Sequence, residues 1–371
     1  MIRRMQAVEA ELSDNTRLGY RPELDGLRAF AVFAVLASHY WTNVAPGGFL
    51  GVDLFFVLSG FLISRLLLEE LARSSGIGFK RFYARRAARL FPAVVLVCLL
   101  VALDAVTIRS LGAPGGSFEA IAAALFYATN WFGVFAHLSP GLGHLWSLAV
   151  EEQFYAIWPI ALFAAYRRGG LRLVQRVAAL VFIVASVEMA ARSIAGVGWY
   201  SLYLGTDAHP AVMLMAGCFL ATIATTRRPE RRPPIILDVV TGIFIVAVAV
   251  LVLRTAEFPS WWYRGGFPVV ALGFALVINR ALTADAFTAV LRVRPVAWVG
   301  RLSYGIYVYH LGVHACLAAE LHGRRQTVIG IASIALTLVV ATCSYYLIEQ
   351  PIRSAVAAKM AVRTPTTSPT S

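Results

Sequence analysis

Two ionisable side chains stand eleven residues apart in the first apolar run of this chain, Asp25-Gly-Leu-Arg28-Ala-Phe-Ala-Val-Phe-Ala-Val-Leu-Ala-Ser-His39. On a helix that spacing makes three turns, so Arg28 and His39 fall within about 20° of one stripe, with about 16 Å of rise between them. Asp25 lies one turn below Arg28. A neutral imidazole can take a proton from a hydroxyl near neutral pH. A guanidinium suits a phosphate, or a carboxylate such as Asp25. The plainer reading is that His39 caps the run at an interface and Arg28 is an ordinary positive flank, and the residues themselves leave both open.

Three further segments carry groups that an apolar setting does not tolerate without a reason. Asp53 sits in Gly51-Val-Asp53-Leu-Phe-Phe-Val-Leu-Ser59-Gly60 and needs a partner or a wet cavity, whereas Ser59-Gly60 reads as a close helix approach rather than a nucleophile. Arg85, Arg86 and Arg89 lie in Phe82-Tyr83-Ala-Arg85-Arg86-Ala-Ala-Arg89-Leu90-Phe91-Pro92. Arg86 and Arg89 are three residues apart, about one turn, a spacing that fits either a polyphosphate clamp or a topogenic basic flank. Glu151 and Glu152 open the run after His144-Leu-Trp-Ser147. One acid there could serve the helix dipole; two, beside His144 and Gln153, suit orienting an imidazole or binding sugar hydroxyls. Asp207 in Asp207-Ala-His209-Pro210 and His310 in Tyr304-Gly-Ile-Tyr307-Val-Tyr309-His310 are lesser candidates for substrate contact. The tyrosines around His310 read as an aromatic belt. No ligand cluster has metal spacing.

The elements that must position these groups are transmembrane. Apolar runs of the roughly 20 residues needed to cross a bilayer lie near 26–43, 49–71, 90–109, 118–136, 145–166, 173–194, 210–226, 235–253, 267–283, 298–320 and 327–348. Basic clusters arbitrate among the eleven. They fall in the arm before residue 22, at 73–89, 167–176, 227–232, 280–301 and 353–363. If all are cytoplasmic, the chain crosses once, net, between Arg109 and Arg167. The run at 118–136, with Asn130 and Trp131, is then re-entrant or interfacial. The expected fold is an all-α polytopic bundle of about ten spans. It has a cytoplasmic arm (1–20), a membrane domain (21–353) and a cytoplasmic disordered tail (354–371), and both termini lie inside.

Composition agrees. The hydrophobic share is 59%, the charged share 14% and the mean hydropathy +0.70, whereas a soluble domain carries nearer 25% charge. The net charge of +13 sits between apolar runs, as topology requires, so nucleic acid is not an expected partner and the lipid bilayer is. The four cysteines lie far apart within apolar runs, which argues against disulfides or zinc. The polar first 24 residues are unlike a cleavable signal, so the first span is expected to direct its own insertion into a bacterial cytoplasmic membrane.

Six segments, in order, resemble the acyltransferase-3 family of integral membrane O-acyltransferases. They are RPELDGLRA followed by His39, GVDLFFVLSGFLIS, FYARRAARLFP, HLWSLAVEEQFYAIWP, GRLSYGIYVYH and the closing Glu349-Gln-Pro351. The resemblance implies a ten-helix bundle that moves an acyl group from acyl-CoA, as co-substrate rather than bound cofactor, to a hydroxyl of a sugar or macrolide-type acceptor. The family's Arg-x10-His pair maps onto Arg28 and His39, and its Arg-x-x-Arg motif onto Arg86 and Arg89. This chain departs from the pattern at Tyr309, where Trp is usual, and at TDAHP before the seventh span. His39 is then the expected base, Arg28, Arg85, Arg86 and Arg89 the phosphate ligands, and Glu151 or Glu152 the group that orients His39 or the acceptor. A transporter or flippase using an intramembrane His/acid relay is the rival reading, and a non-catalytic scaffold a third.

Overall fold

The computed structural model describes residues 19–74, 76–107, 114–131, 141–204, 208–226, 234–255, 258–283 and 285–361, and among these there is no strand. The helices, in chain order, are α1 (Pro22–Tyr40), α2 (Leu50–Ser74), α3 (Phe79–Val106), α4 (Pro114–Leu125), α5 (Trp146–Ile194), α6 (Trp199–Tyr203), α7 (Ala208–Thr226), α8 (Ile235–Arg254), α9 (Phe267–Thr283), α10 (Asp285–Leu291), α11 (Arg294–Glu320), α12 (Gln326–Ser344) and α13 (Gln350–Ala361). Only helices can satisfy every backbone group inside hydrocarbon within a single segment. Proline is tolerated where its missing N–H costs nothing: α1 and α11 each carry one in the first turn. Pro92 and Pro159 lie inside α3 and α5.

Among the described residues, seven helical stretches are long and apolar enough to cross a membrane. The longest, Gly143–Ile194, has 52 residues. At 1.5 Å per residue that is more than twice a bilayer core, so it must fold back. The break is at Gly169–Gly170, where Gly170 takes φ +65°, a left-handed conformation that glycine enters without strain. α1 and α11 lie outside the seven: Glu23, Asp25 and Arg28 charge the first, and tyrosines and histidines dilute the second. α4 has 12 residues, about 18 Å, too short to span, as expected of the run at 118–136. Part of that run, 132–136, lies outside the described residues. The expected tail behaves differently at its start. α13 continues to Ala361, its alanine-rich turns being good helix formers, so residues 354–361 are helical rather than disordered.

The bundle is graded from centre to rim. α2 is buried along most of its length and packs chiefly on α7; α1 packs on α11, and α5 on α7. α8 is almost wholly lipid-facing. The α2–α7 approach depends on the two glycines facing each other across it. A Cβ on Gly60 would strike the Leu214 carbonyl, and one on Gly217 would strike that of Val57. Without a hydrophobic drive between helices in lipid, such close backbone packing holds the bundle together.

Candidate active site

A cavity of about 530 Å³ rises from the arginine-rich end of the bundle between α1, α2, α3, α5 and α11. Arg21, Arg28, Arg73, Arg86 and Arg89 line it against three carboxylates, Asp25, Glu69 and Glu151. The balance is cationic. Asp25 lies 3.9 Å from Arg28. Arg86 is engaged by Glu152, with Nη2–Oε1 at 2.7 Å and Nε–Oε1 at 3.0 Å, and its guanidinium covers the Tyr155 ring. No carboxylate among the described residues pairs with Arg89. Arg85, one residue from Arg86, is exposed and does not line the cavity.

One layer deeper, Glu151 accepts hydrogen bonds from Ser59 and from Tyr155 (2.6 Å). Above it, the Ser147 hydroxyl lies 2.7 Å from the Tyr307 hydroxyl, which in turn donates to the His144 carbonyl at 2.7 Å. Ser147 and Tyr307 are the last polar residues on the cavity wall.

His39 stands beyond this layer, exposed, at the far end of α1. Its Nδ1 is 2.9 Å from the Val35 carbonyl and 3.4 Å from Nε2 of His310. A carbonyl can only accept, so Nδ1 carries the proton. By the same rule Nδ1 of His310, 2.6 Å from the Tyr307 carbonyl, is its protonated nitrogen, leaving Nε2 to accept from His39. This arrangement leaves the lone pair of His39 on Nε2, the atom a base would use. His144 packs edge-on to His310, ring centroids 4.8 Å apart, and its Nε2 donates to the Val308 carbonyl at 3.1 Å.

The residues singled out in the sequence therefore divide. Arg28, Arg86, Arg89, Asp25 and Glu151 share one cavity, and Glu152 is tied to it through Arg86. The stripe from Arg28 to His39 is not open along its length, because Val32 and Val35 between them are fully buried. Neither glutamate reaches His39; its described partners are the Val35 carbonyl and His310. His310 is itself fully buried, so it stands behind His39 rather than against an acceptor. Asp53 lies off the cavity, fully buried, 3.0 Å from His209 and 3.4 Å from the Tyr203 hydroxyl. Asp207 lies outside the described residues. Tyr307 is not a belt residue: it stands at the cavity end. The signal for it was its three-residue offset from His310, which puts that pair on one face of α11. Among the described residues no group of three or more His, Cys, Asp or Glu side chains could hold a metal ion.

Comparison with known proteins places this geometry. The sequence is 33% identical over 350 residues to a peptidoglycan O-acetyltransferase, OatA, of Listeria monocytogenes, covering 90% of this chain and 56% of the relative. It is 34% identical over 357 residues to a putative peptidoglycan O-acetyltransferase, YrhL, of Bacillus subtilis, covering 90% and 55%. With an O-acetyltransferase, OatA, of Staphylococcus aureus the identity is 33% over 351 residues, covering 90% and 57%. The chain thus spans little more than half the length of these curated relatives. No solved structure matches. The profile of the family described as Acyltransferase domain matches residues 21–349, nearly the whole described bundle; this chain, a multi-pass helical membrane protein, belongs to that family.

Proposed function

We propose that this protein is a membrane O-acyltransferase that moves a short acyl group from acyl-CoA to a hydroxyl of a carbohydrate. The observation that carries the reading is the layered arrangement: an arginine-lined cavity opening at one end of the bundle and, about 16 Å of helix rise away, an exposed histidine whose Nδ1 is committed to a backbone carbonyl at the other. That distance is what the extended arm between a CoA diphosphate and its thiol can cover. Arg89, with Arg28 and Arg86, holds the phosphates. On the positive-inside rule this end faces the cytoplasm, and in our reading of ten crossings both termini do so too.

In the transfer, the acceptor oxygen attacks the thioester carbonyl carbon. The new C–O bond forms as the C–S bond breaks, and the hydroxyl proton passes to His39 Nε2. The proton then returns to the leaving thiolate, so the products are an ester and a free thiol. His310 holds His39 in the tautomer that leaves Nε2 available. The relatives named for peptidoglycan O-acetylation support an acetyl group and a cell-wall sugar over a macrolide acceptor, and they give no support to a transporter. Purified protein in lipid nanodiscs, given acetyl-labelled CoA and a soluble N-acetylated glycan, should transfer label and release thiol. Release that needs neither the glycan nor His39 would refute the reading.

A further inference from the structure

The cavity and His39 do not meet. Tyr307 lies one turn below His310 on α11, and Ser147, near the start of α5, follows His144 of the single 3-10 turn Gly143–Leu145 by three residues; the Tyr307 ring packs directly beneath both histidines, with centroids 5.4 Å from His144 and 5.5 Å from His310. Phe55 of α2 meets the Tyr307 ring edge-on at 6.4 Å and closes a third side. The Tyr307 hydroxyl is held at both its acceptor and its donor positions, by Ser147 and by the His144 carbonyl, each at 2.7 Å. The Ser147 and Tyr307 side chains are buried. A thioester entering from the arginine-lined end therefore reaches a tyrosine before it reaches the base.

We propose that Tyr307 is the specificity-determining residue for the acyl group: it partitions the donor cavity from His39 and admits past its ring only a short chain. The inference rests on the reading of the cavity as the acyl-CoA site. Three features argue for a gate that yields rather than a permanent wall. Its closure is made by two neutral hydrogen bonds and ring contacts, with no ion pair. Its neighbour Ser147 is small, leaving room when the tyrosine swings. The wall around it is apolar, with Val52, Phe55 and Phe56 on α2 and Leu148 on α5, surface suited to an acyl chain and unsuited to water. A closed ring also keeps the thioester apart from His39, and from water that His39 could activate, until an acceptor is in place.

The test uses the full chain in nanodiscs, in a background in which the less buried Cys316 and Cys343 are replaced by serine. Tyr307→Ala should raise the ratio of kcat/KM for butyryl-CoA over acetyl-CoA tenfold or more. Tyr307→Phe keeps the ring and loses both hydrogen bonds; it should retain the acetyl preference but release thiol severalfold faster without acceptor. If both variants keep the wild-type chain-length ratio and the wild-type uncoupled rate, Tyr307 is not the gate. A second arm needs no donor. A thiol placed by His39→Cys should resist a small charged thiol reagent applied from the arginine-rich side, and should become reactive when Tyr307→Ala is added. Labelling of His39→Cys from that side with Tyr307 intact would overturn the proposal. Failure of the wild-type chain to release thiol from any acyl-CoA, with the labelling arm as expected, would instead remove the donor reading and leave the partition standing.

Discussion

At the residue scale, arginines that look alike in the sequence have different partners in the structure. Arg86 already has a carboxylate partner in Glu152, whereas Arg89 has none among the described residues. An incoming phosphate must compete with Glu152 for Arg86 but not for Arg89. Arg89→Ala should therefore raise the KM for acyl-CoA more than Arg86→Ala does, with the acceptor KM nearly unchanged, because uniform ground-state binding is lost. Arg89→Lys should restore binding in part, since an ammonium keeps the charge but not the planar fork. Initial-rate kinetics with varied acyl-CoA checks this. Equal KM values for Arg89→Lys and wild type, with Ala lowering protein yield alone, would make these residues a topogenic flank. His310 makes a different prediction. Because it is fully buried behind His39, His310→Ala should lower kcat by about 10- to 100-fold, a fraction of a general base's worth, and leave both KM values in place. A raised acceptor KM with kcat unchanged would return His310 to acceptor binding.

At the scale of elements, the close approach of α2 to α7 positions Ser59 and the Phe55–Phe56 wall. Gly60→Val should push the helices apart at the Leu214 carbonyl and cost about 1–3 kcal/mol, the usual range for overpacking a tight contact. Loss of monodispersity on heating in detergent, compared with wild type, measures it; an unchanged profile would mean that the helices can slide. This approach was legible in the sequence, because Ser59-Gly60 in an apolar run has few other uses. So was the membrane character of the runs, and so was the Arg28–His39 stripe. The histidine layer was not. His144 meets the α11 backbone across 164 residues of sequence, and Ser147 meets Tyr307 across 160. No local period encodes such pairings. Two adjacent acids at the head of an apolar run suit orienting either His39 or the acceptor, and the sequence does not say which cavity they face. In space Glu151 lines the cavity, one helical turn below Ser147, and is spent on Ser59 and Tyr155, whereas Glu152 is spent on Arg86. Asp53 was visible as a costly buried charge, but its partner His209 lies on another helix.

For the whole molecule, the Gly169–Gly170 turn makes two crossings out of α5. With α1 and α11 counted as spans beside the seven apolar stretches, the chain would cross ten times and its termini would share one side. A single cysteine at Gly169 should label from the cytoplasmic face, and one at His322, in the turn after α11, from the opposite face. Labelling of both from one side would discard the ten-span arrangement and the separation of donor and acceptor ends that depends on it.

The central claim is that His39 accepts the proton as an acyl group leaves CoA for a sugar hydroxyl. The most direct measurement is acceptor-dependent thiol release from acetyl-CoA by the purified chain in nanodiscs, wild type against His39→Ala, at matched and folded protein levels. The account predicts release coupled one-to-one to ester formation in the wild type, and a loss of 100-fold or more in kcat for the variant. A His39→Ala protein that keeps more than about a tenth of the wild-type rate, less than any general base would contribute, would contradict it.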